Sequence, residues 1–281
     1  MLVFHTATAL KKQLLQQKKT VGLVPTMGAL HAGHVSLVEQ ACKENDLVIV
    51  SIYVNPTQFN VLEDLENYPR NLDDDQKLLQ PFAKKILLYV PENEDLYPNG
   101  VVSKTYGFGS LAMYMEGLSR PGHYDGVATI VEALLKNTSP ARAYFGEKDF
   151  QQLQIIRALN TRLHLGVEII ECPLIREKNG LAMSSRNQLL PPHQREVASV
   201  IYKSLEVILQ KANTWSLHEM KSFFVSEIEG LEGFRVDYFA IASPSDLIPV
   251  KQLKPNQVYR VFVAVYVGKT RLIDTVELKR I

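Results

Sequence analysis

The sequence predicts an α/β fold, a doubly wound parallel sheet with a second, smaller α+β C-terminal domain. Short apolar runs without helical spacing suit strands that are buried on both faces, and they lie at residues 21–25, 47–54, 86–90, 141–145 and 167–174. Amphipathic helical patterns lie between these runs, which favours parallel strands joined by right-handed crossovers. The pattern changes after about Leu174, so we expect domains at residues 1–174 and 175–281.

Helical spacing is clearest in two segments of the first domain. Apolar residues recur on one helix face in both, at Val127, Ile130, Val131, Leu134 and Leu135, and at Leu153, Ile156, Leu159 and Leu163. In the second domain, the pattern predicts a long helix over residues 197–209 after a Pro-Pro pair, and another over 217–228. Strands are then expected at residues 235–241, 259–267 and 270–278, with a hairpin turn at VGKT.

Composition and charge restrict the class of protein. The chain has 281 residues, of which 46% are hydrophobic and 22% charged, as in a globular protein. A formal net charge of +1 shows no electrostatic footprint of nucleic-acid binding, so no such partner is expected. No apolar stretch is long enough to span a bilayer and no secretory leader is recognisable, which predicts a cytoplasmic protein. Cys42 and Cys172 are expected to be buried core residues of a reducing compartment.

Polar residues cluster just after the predicted strands. Because ligands of parallel α/β sheets bind at the carboxyl ends of the strands, these residues are the candidates for a binding site. They are Thr26, Met27, Gly28, His31 and His34 after the first run; Asn55, Thr57 and Gln58 after the second; Gly146, Glu147, Lys148, Asp149 and Gln152 after the fourth; and Arg176 with Met183, Ser184, Ser185 and Arg186 after the fifth.

His31 and His34 lie one turn apart at the start of a predicted helix, within VGLVPTMGALHAGH. A strand, a glycine-containing turn and a helix N-terminus together form a common anion site. The two imidazoles suit hydrogen bonds to nucleotide phosphates. Metal ligation is an alternative, although no third ligand is evident from the spacing. Plain helix capping is the third interpretation, and all three stay open at this point.

The other candidate side chains have structural alternatives as well. Lys148 can reach a phosphate as a point charge, or it is a solvated surface lysine. Asp149 can hold Mg²⁺ or cap a helix. Arg186 and the two preceding serines suit polyphosphate oxygens, but they equally suit a helix cap with a surface arginine. Gln58 and Gln152 fit a substrate that carries hydroxyls and a carboxylate, although glutamines are more often surface residues.

Three further features have mainly structural interpretations. The acidic run Asp73, Asp74 and Asp75 is expected at the start of a helix. A Gly-rich loop is expected to be a lid or a subunit contact, and it carries Glu116, Arg120 and His123. Trp215 is expected to be a packing residue.

The chain closely resembles the pantothenate synthetase (pantoate–β-alanine ligase) family, part of the nucleotidyl-transferase superfamily with HxGH-type sites. The shared stretches span nearly the whole chain, in the order PTMGALHAGH, NPTQF, YPRNLDDD, YPNG, MEGLSRPGH, FGEKDFQQ, LAMSSRN and RLID. The resemblance implies a Rossmann-like N-terminal domain, a C-terminal domain that closes over the site, and a homodimer. It also implies that ATP and (R)-pantoate form pantoyl-adenylate and pyrophosphate, after which β-alanine attacks to give pantothenate and AMP.

The resemblance also implies roles for matching residues. His34 matches the family's proton donor, and His31, Lys148 and Arg186 would assist catalysis. ATP contacts are implied for Met27, Gly28, His31, Gly33, His34, Gly146, Lys148, Asp149, Ile175, Met183, Ser184, Ser185 and Arg186. Pantoate contacts are implied for Gln58 and Gln152, and Gln58 would be shared with β-alanine. Asn55, Tyr68 and Arg120 are candidates for the remaining β-alanine contacts, and Asp149 is the candidate for Mg²⁺. Ala32 and Thr57 depart from the usual family residues without removing a functional group that the reaction needs.

Two other functions remain as alternatives to this ligase. Another nucleotidyl transferase would release pyrophosphate without an amine and form a stable nucleotide product. A nucleotide-binding relative without catalysis is disfavoured because the histidine, lysine, serine and arginine set is intact.

Overall fold

The computed structural model describes residues 1–15 and 19–281, and this part of the chain divides into two compact units. The first unit consists of Met1–Phe108, Arg120–Glu147 and Gln152–Pro173. The second consists of Gly109–Ser119, Lys148–Gln151 and Leu174–Ile281. Two short segments from the first half and middle of the sequence thus belong to the second unit.

A parallel sheet forms the centre of the first unit. Its strands within the described residues are β1 (Leu2–Phe4), β2 (Val21–Thr26), β3 (Leu47–Ile52), β4 (Ile86–Tyr89), β5 (Arg142–Gly146) and β6 (Glu168–Cys172). They lie in the order β1-β4-β3-β2-β5-β6, and every neighbouring pair is parallel. The predicted parallel sheet is confirmed, and all five predicted strands are present. The edge strand β1 was not predicted, because three residues are too few to show a period.

The strand order reverses next to β2. From β2 the chain proceeds to β3 and β4 on one side, and then to β5 and β6 on the other side. Crossovers that leave in opposite directions from neighbouring strands open a crevice at their carboxyl ends, which is where doubly wound sheets bind ligands. The ends of β2 and β5 therefore mark the expected position of a site.

Helices cover the sheet between its strands. In the first unit they are α1 (Ala7–Leu15), α2 (Ala32–Glu44), α3 (Leu62–Glu66), α4 (Leu72–Leu79), α5 (Asn93–Leu96), α7 (His123–Thr138) and most of α8 (Phe150–Arg162), whereas α6 (Glu116–Ser119) belongs to the second unit. All six residues of β3 are buried, so both faces of the sheet are covered at its centre. Val48 and Val50 of β3 pack in one cluster with Leu37 and Val38 of α2.

A buried carboxylate stabilises the outer part of the first unit. Glu132 of α7 accepts hydrogen bonds from Lys104 at 2.9 Å, Lys136 at 2.5 Å and the Tyr106 hydroxyl at 2.5 Å. Burial opposes ionisation of Glu132, but these three donors outweigh it and hold its pKa at about 2.

The second unit is a small α+β structure, as predicted. It contains α9 (Pro192–Val197), α10 (Val200–Gln210) and α11 (Leu217–Glu229), followed by the antiparallel strands β7 (Phe234–Ala242), β8 (Gln257–Val267) and β9 (Thr270–Arg280). The predicted hairpin joins β8 to β9, with Val267 opposite Thr270 and Gly268 at φ +57°. The helices and strands share one apolar core, where Trp215 packs against Phe223.

One predicted helix is divided in two. The single helix expected over residues 197–209 is broken between α9 and α10 by a turn at Ala198 and Ser199. Short-range bonds close this turn, from Ser199 N–H to the Glu196 carbonyl at 3.2 Å and from Ile201 N–H to the Ala198 carbonyl at 3.1 Å. Apolar periodicity continues across the break, so the sequence pattern did not reveal it.

Both cysteines are buried, as predicted. Cys42 is 8% exposed and Cys172 is 1% exposed, and neither forms a disulfide. Burial raises the pKa of the Cys172 thiol to about 12 and also raises that of Cys42. Among the described residues, no helix has both the length and the apolar character needed to cross a membrane.

Candidate active site

The loop after β2 turns sharply toward α2. Thr26 ends the strand, donates through its hydroxyl to the Ser51 carbonyl at 2.8 Å, and accepts from Gly28 N–H at 3.2 Å. Gly28 and Ala29 then both have left-handed backbone conformations, with φ of +79° and +49°. Two consecutive left-handed residues reverse the chain within a short distance, so α2 begins only a few residues after the strand ends.

His31 and His34 form a capping box at the start of α2. His31 is the N-cap residue, and its Nδ1 accepts from Gly33 N–H at 3.1 Å. In return, Nδ1 of His34 accepts from His31 N–H at 3.3 Å. The two rings lie with their centroids 4.1 Å apart. A ring nitrogen that accepts carries no proton, so these bonds assign the proton of each neutral ring to Nε2.

The capping interpretation is thus confirmed for both histidines, and it is compatible with phosphate binding. The Nε2–H of each neutral ring is a hydrogen-bond donor, next to a helix N-terminus that already favours anions. Metal ligation has less support, because no group of three or more His, Cys, Asp or Glu side chains suited to a metal occurs in residues 1–15 and 19–281.

The turn after β3 carries a buried amide cluster. Asn55 is 1% exposed and donates through Nδ2 to the Gln58 side-chain oxygen and to the Gly126 carbonyl, each at 3.1 Å. The Gln58 amide in turn donates to the Met27 sulfur at 2.8 Å. The hydroxyls of Thr57 and Tyr97 both donate to Asn55 Oδ1. Three residues predicted for the site, Met27, Asn55 and Gln58, are therefore in direct contact.

The start of α7 holds this turn from the other side. The Gln58 carbonyl accepts from His123 Nδ1 at 2.7 Å and from Arg120 Nη2 at 3.0 Å. A Cβ on Gly126 would lie 2.2 Å from the Thr57 carbonyl oxygen, so only glycine permits this close approach of helix and turn. Arg120 and His123 thus position the backbone at Gln58, and the lid or subunit contact expected for their loop stays a prediction.

In the second unit, a hairpin carries the predicted ATP-binding loop. Ile175 and Met183 face each other, with Met183 N–H donating to the Ile175 carbonyl at 3.0 Å. Ser184 then caps a short 3-10 helix, Ser185–Leu189, by accepting from Arg186 N–H at 3.3 Å. Ser184 and Arg186 thus have the local structure of a helix cap.

A buried ion pair anchors the same hairpin. Arg176 forms two parallel hydrogen bonds with Asp274, of 2.6 and 3.0 Å, and also donates to the Gly180 carbonyl at 3.2 Å. The Arg176 guanidinium stacks on the Tyr202 ring at 3.5 Å from its centroid. Asp274 belongs to the RLID stretch, and its side chain is only 2% exposed. Sequence reasoning assigned no partner to either charge.

Lys148 and Asp149 lie in a short 3-10 helix, Glu147–Asp149. Their charged groups are 3.4 Å apart, and their side chains are 19% and 44% exposed respectively. Mg²⁺ bound with a nucleotide takes one or two protein carboxylates and completes its shell with phosphates and water. A half-exposed carboxylate such as Asp149 fits that limited demand.

Glu116 has a structural role in the second unit. Arg271 donates to both of its oxygens, at 2.8 and 2.7 Å, and also binds the Asp237 carboxylate. The Tyr238 hydroxyl donates to the Glu116 carboxylate at 2.8 Å, and the Glu116 backbone N–H donates to the Gln151 side-chain oxygen at 3.1 Å. These bonds fix the segment Gly109–Ser119 within the second unit. The structure thus gives Glu116 an internal ion pair, while the lid or subunit contact expected for its loop stays a prediction.

The remaining predicted site residues have varied surroundings. Tyr68 is buried, with its ring edge-on to Phe59 at 5.7 Å. Gly146 ends β5, Gly33 lies in the first turn of α2, and Gln152 lies in the first turn of α8. The acidic run starts α4 as predicted, but Asp75 is buried against the loop after β2. Sequence reasoning missed this contact, because neighbouring Asp73 and Asp74 are exposed and look the same in the sequence.

Curated relatives match the chain over nearly its whole length. A curated protein from Flavobacterium psychrophilum, named pantothenate synthetase, is 43% identical and covers 99% of this chain and 100% of the relative. One of the same name from Bacteroides fragilis is 42% identical, with 99% of both chains covered.

Solved structures of the same family also superpose on the chain. The crystal structure of pantothenate synthetase from Thermus thermophilus superposes with a TM-score of 0.91 at 40% identity, covering 99% of this chain and 100% of the other. A pantoate-beta-alanine ligase from Francisella tularensis, complexed with beta-gamma ATP and beta-alanine, superposes with a TM-score of 0.81 at 36% identity over 98% and 97% of the two chains. The family model for pantoate-beta-alanine ligase matches residues 2–277. With its doubly wound sheet, its HxGH capping box and this match along the whole sequence, the chain belongs to the pantoate-beta-alanine ligase family.

Proposed function

We propose that this protein catalyses the ATP-dependent condensation of (R)-pantoate with β-alanine to form pantothenate. In the first step, a pantoate carboxylate oxygen attacks the α-phosphorus of ATP, and the bond to the β-phosphate breaks to release pyrophosphate. In the second step, the β-alanine amine attacks the acyl carbon of pantoyl-adenylate. The acyl–oxygen bond breaks, AMP leaves, and the amine loses a proton. The enzyme forms no covalent bond to substrate, so it needs no serine or cysteine nucleophile.

The contact between the HxGH loop and the Gln58 turn carries this proposal. Met27 precedes the histidine capping box, and its sulfur accepts the Gln58 amide at 2.8 Å. An anion-binding helix start and a neutral amide cluster therefore lie beside each other at the carboxyl ends of β2 and β3. This arrangement suits a reaction between a nucleotide phosphate and a small acid that carries hydroxyls.

Residues of the first unit are proposed to bind both reactants. Residues 27–34 lie along ATP, and His31 and His34 donate from Nε2 to its phosphates. His34 is also the candidate proton donor. Gln58 and Gln152 bind pantoate, Gln58 is shared with β-alanine, and Asn55 orients Gln58 through the 3.1 Å bond between their amides. Buried Tyr68 supports this region by packing on Phe59.

Residues of the second unit are proposed to bind the negatively charged phosphates of ATP. Lys148 and Arg186 offset the repulsion between the pantoate carboxylate and the triphosphate, and the charge that develops on pyrophosphate. Ser184 and Ser185 add hydroxyl donors, and Ile175 offers backbone groups to the base. Mg²⁺, held by Asp149, would supply further neutralisation of the phosphates. Positioning of both reactants contributes further, since fixing two reactants is worth about 7–11 kcal/mol.

Further parts of the proposal concern the assembly and the location of the protein. We propose a homodimer in the cytoplasm, with residues 1–174 forming the ATP- and pantoate-binding domain and residues 175–281 a lid domain. A lid suits this chemistry, because an acyl-adenylate hydrolyses readily in water. Size-exclusion chromatography with light scattering tests the dimer.

The products of the reaction test the proposed function. Purified protein with ATP, Mg²⁺, pantoate and β-alanine should release AMP and pyrophosphate in equal amounts with pantothenate. Release of ADP would contradict the adenylate mechanism. Pyrophosphate release without β-alanine, together with a stable nucleotide product, would instead indicate another nucleotidyl transferase.

Single substitutions test the assigned groups. His34→Ala and Lys148→Ala should each lower kcat/KM by at least about 100-fold, the usual cost of losing a charge-stabilising group. Lys77→Ala is a matched control, because the Lys77 side chain is 77% exposed. Near-normal turnover in both variants would refute their roles.

A further inference from the structure

Asp75 is an acidic residue in an unusual place. It lies in the first turn of α4 next to exposed Asp73 and Asp74, yet it is only 3% exposed. Burying a carboxylate is costly unless its oxygens accept hydrogen bonds. The partners of this buried group therefore indicate what it does.

The partners of Asp75 are backbone N–H groups of the loop after β2. Oδ1 accepts from Leu30 N–H at 2.6 Å, and Oδ2 accepts from Ala29 N–H at 3.1 Å. Successive N–H groups exposed by a left-handed turn form a concave site for an anion, and here a carboxylate from the protein occupies it. The N–H bonds favour the ionised form, although burial dominates and raises the pKa of Asp75.

The loop needs such a brace. Ala29 has φ +49°, a conformation that costs about 1–2 kcal/mol for a residue with a Cβ. A Cβ on Gly28 would lie 3.0 Å from Asp75 Oδ2 and 3.1 Å from the Ile52 side chain. The carboxylate is thus packed directly against the backbone that it holds, and both of its oxygens are used.

We infer that Asp75 is a positioning residue for nucleotide binding, because its carboxylate fixes residues 28–30 and thereby the direction in which His31 and His34 present their Nε2–H groups. The inference rests on the proposed function only for the identity of the nucleotide. Leu30, which Asp75 holds, directly precedes the N-cap residue His31. A shift of the loop would therefore move both rings, whose own Nδ1 bonds to the backbone keep them attached to it.

Asp75→Asn is the informative variant, because it keeps the size of the side chain. An amide offers only one acceptor oxygen and would turn an NH₂ group toward a backbone N–H, so one of the two bonds is lost. The affinity for β,γ-methylene-ATP, measured by calorimetry, and the KM for ATP should each weaken at least tenfold. The KM values for pantoate and β-alanine should stay within threefold of those of the unsubstituted enzyme.

Asp74→Asn is the matched control, with the same change of charge one residue earlier. The Asp74 side chain is 62% exposed, so the affinity of the Asp74→Asn variant for the ATP analogue should change less than twofold. A general loss of structure would not produce a selective effect on ATP, and thermal unfolding checks that both variants are folded. Should Asp75→Asn not fold, Asp75→Glu keeps the charge but displaces the loop by one methylene, and the same tenfold weakening is expected.

The inference is overturned if the folded variant binds the analogue within twofold of the unsubstituted protein, or if all three KM values rise together. Calorimetry separates this result from a failure of the proposed function. An unsubstituted protein that makes no pantothenate would refute the ligase, while its affinity for the analogue would still test Asp75.

Discussion

Removing the Asp274 carboxylate should strongly destabilise the second unit. Asp274→Ala leaves Arg176 without the two parallel bonds of 2.6 and 3.0 Å, and the arginine side chain is only 17% exposed. Breaking a buried ion pair by deleting one partner costs about 3–5 kcal/mol, because the remaining charge stays desolvated. The substitution also removes an acceptor for Thr275 N–H at 2.7 Å. We expect a loss of about 4 kcal/mol.

The single tryptophan makes this loss measurable. Trp215 packs in the core of the second unit, so its fluorescence in urea reports the unfolding of the unit that contains Asp274. Glu277→Ala is the control, since the exposed Glu277–Lys279 pair of the same unit should contribute at most about 1 kcal/mol.

A double substitution separates charge from packing. Arg176→Met with Asp274→Leu removes both charges and should recover most of the lost stability, because apolar replacements avoid the desolvation penalty. A loss below about 1 kcal/mol for Asp274→Ala, equal to that of the exposed control, would refute the reasoning.

Three further predictions concern the first unit. The pKa of Glu132 is lowered from 4.5 to about 2, so ionised Glu132 stabilises the fold above pH 4.5 and this stabilisation is lost as the pH falls toward 2. Acid unfolding should therefore begin at higher pH in Glu132→Gln than in the unsubstituted protein. An unchanged midpoint of acid unfolding would contradict this prediction. Because Cys42 and Cys172 are buried, their thiols should resist iodoacetamide at pH 8 in the folded protein and react in urea, as followed by mass spectrometry. Rapid labelling of the folded protein would contradict this burial. Gly126→Ala should lower the melting temperature and raise the KM for pantoate, because its Cβ would lie 2.2 Å from the Thr57 carbonyl oxygen; an unchanged melting temperature and KM would refute the close packing at this turn.

Much of the fold was predictable because its signals are local. Buried parallel strands give uninterrupted apolar runs, and the hairpin at residues 267–270 has a turn sequence between two β-type segments. The break between α9 and α10 escaped prediction, because Ala198 and Ser199 do not interrupt the apolar period. A buried turn without glycine or proline has no distinct signature in the sequence.

The candidate site was predictable as a set of loops, but not as a set of contacts. The rule that polar residues gather at the carboxyl ends of parallel strands selected His31, His34, Asn55 and Gln58. It did not indicate that the two histidines cap α2 through their Nδ1 atoms, which assigns the proton of each neutral ring to Nε2.

The residue pattern alone predicts the doubly wound sheet, the smaller α+β unit and the position of the loops that carry the candidate site residues. These features are predictable because apolar periodicity and turn residues involve only a few neighbouring positions. The partners of the buried charges depended on the tertiary structure. Asp75 binds Leu30 from 45 residues away, Asp274 binds Arg176 from 98 residues away, and Arg271 binds Glu116 from 155 residues away. A buried charge is stabilised by whichever groups the folded chain brings to it. Because these partners are far apart in the sequence, the residues around the charge do not reveal them.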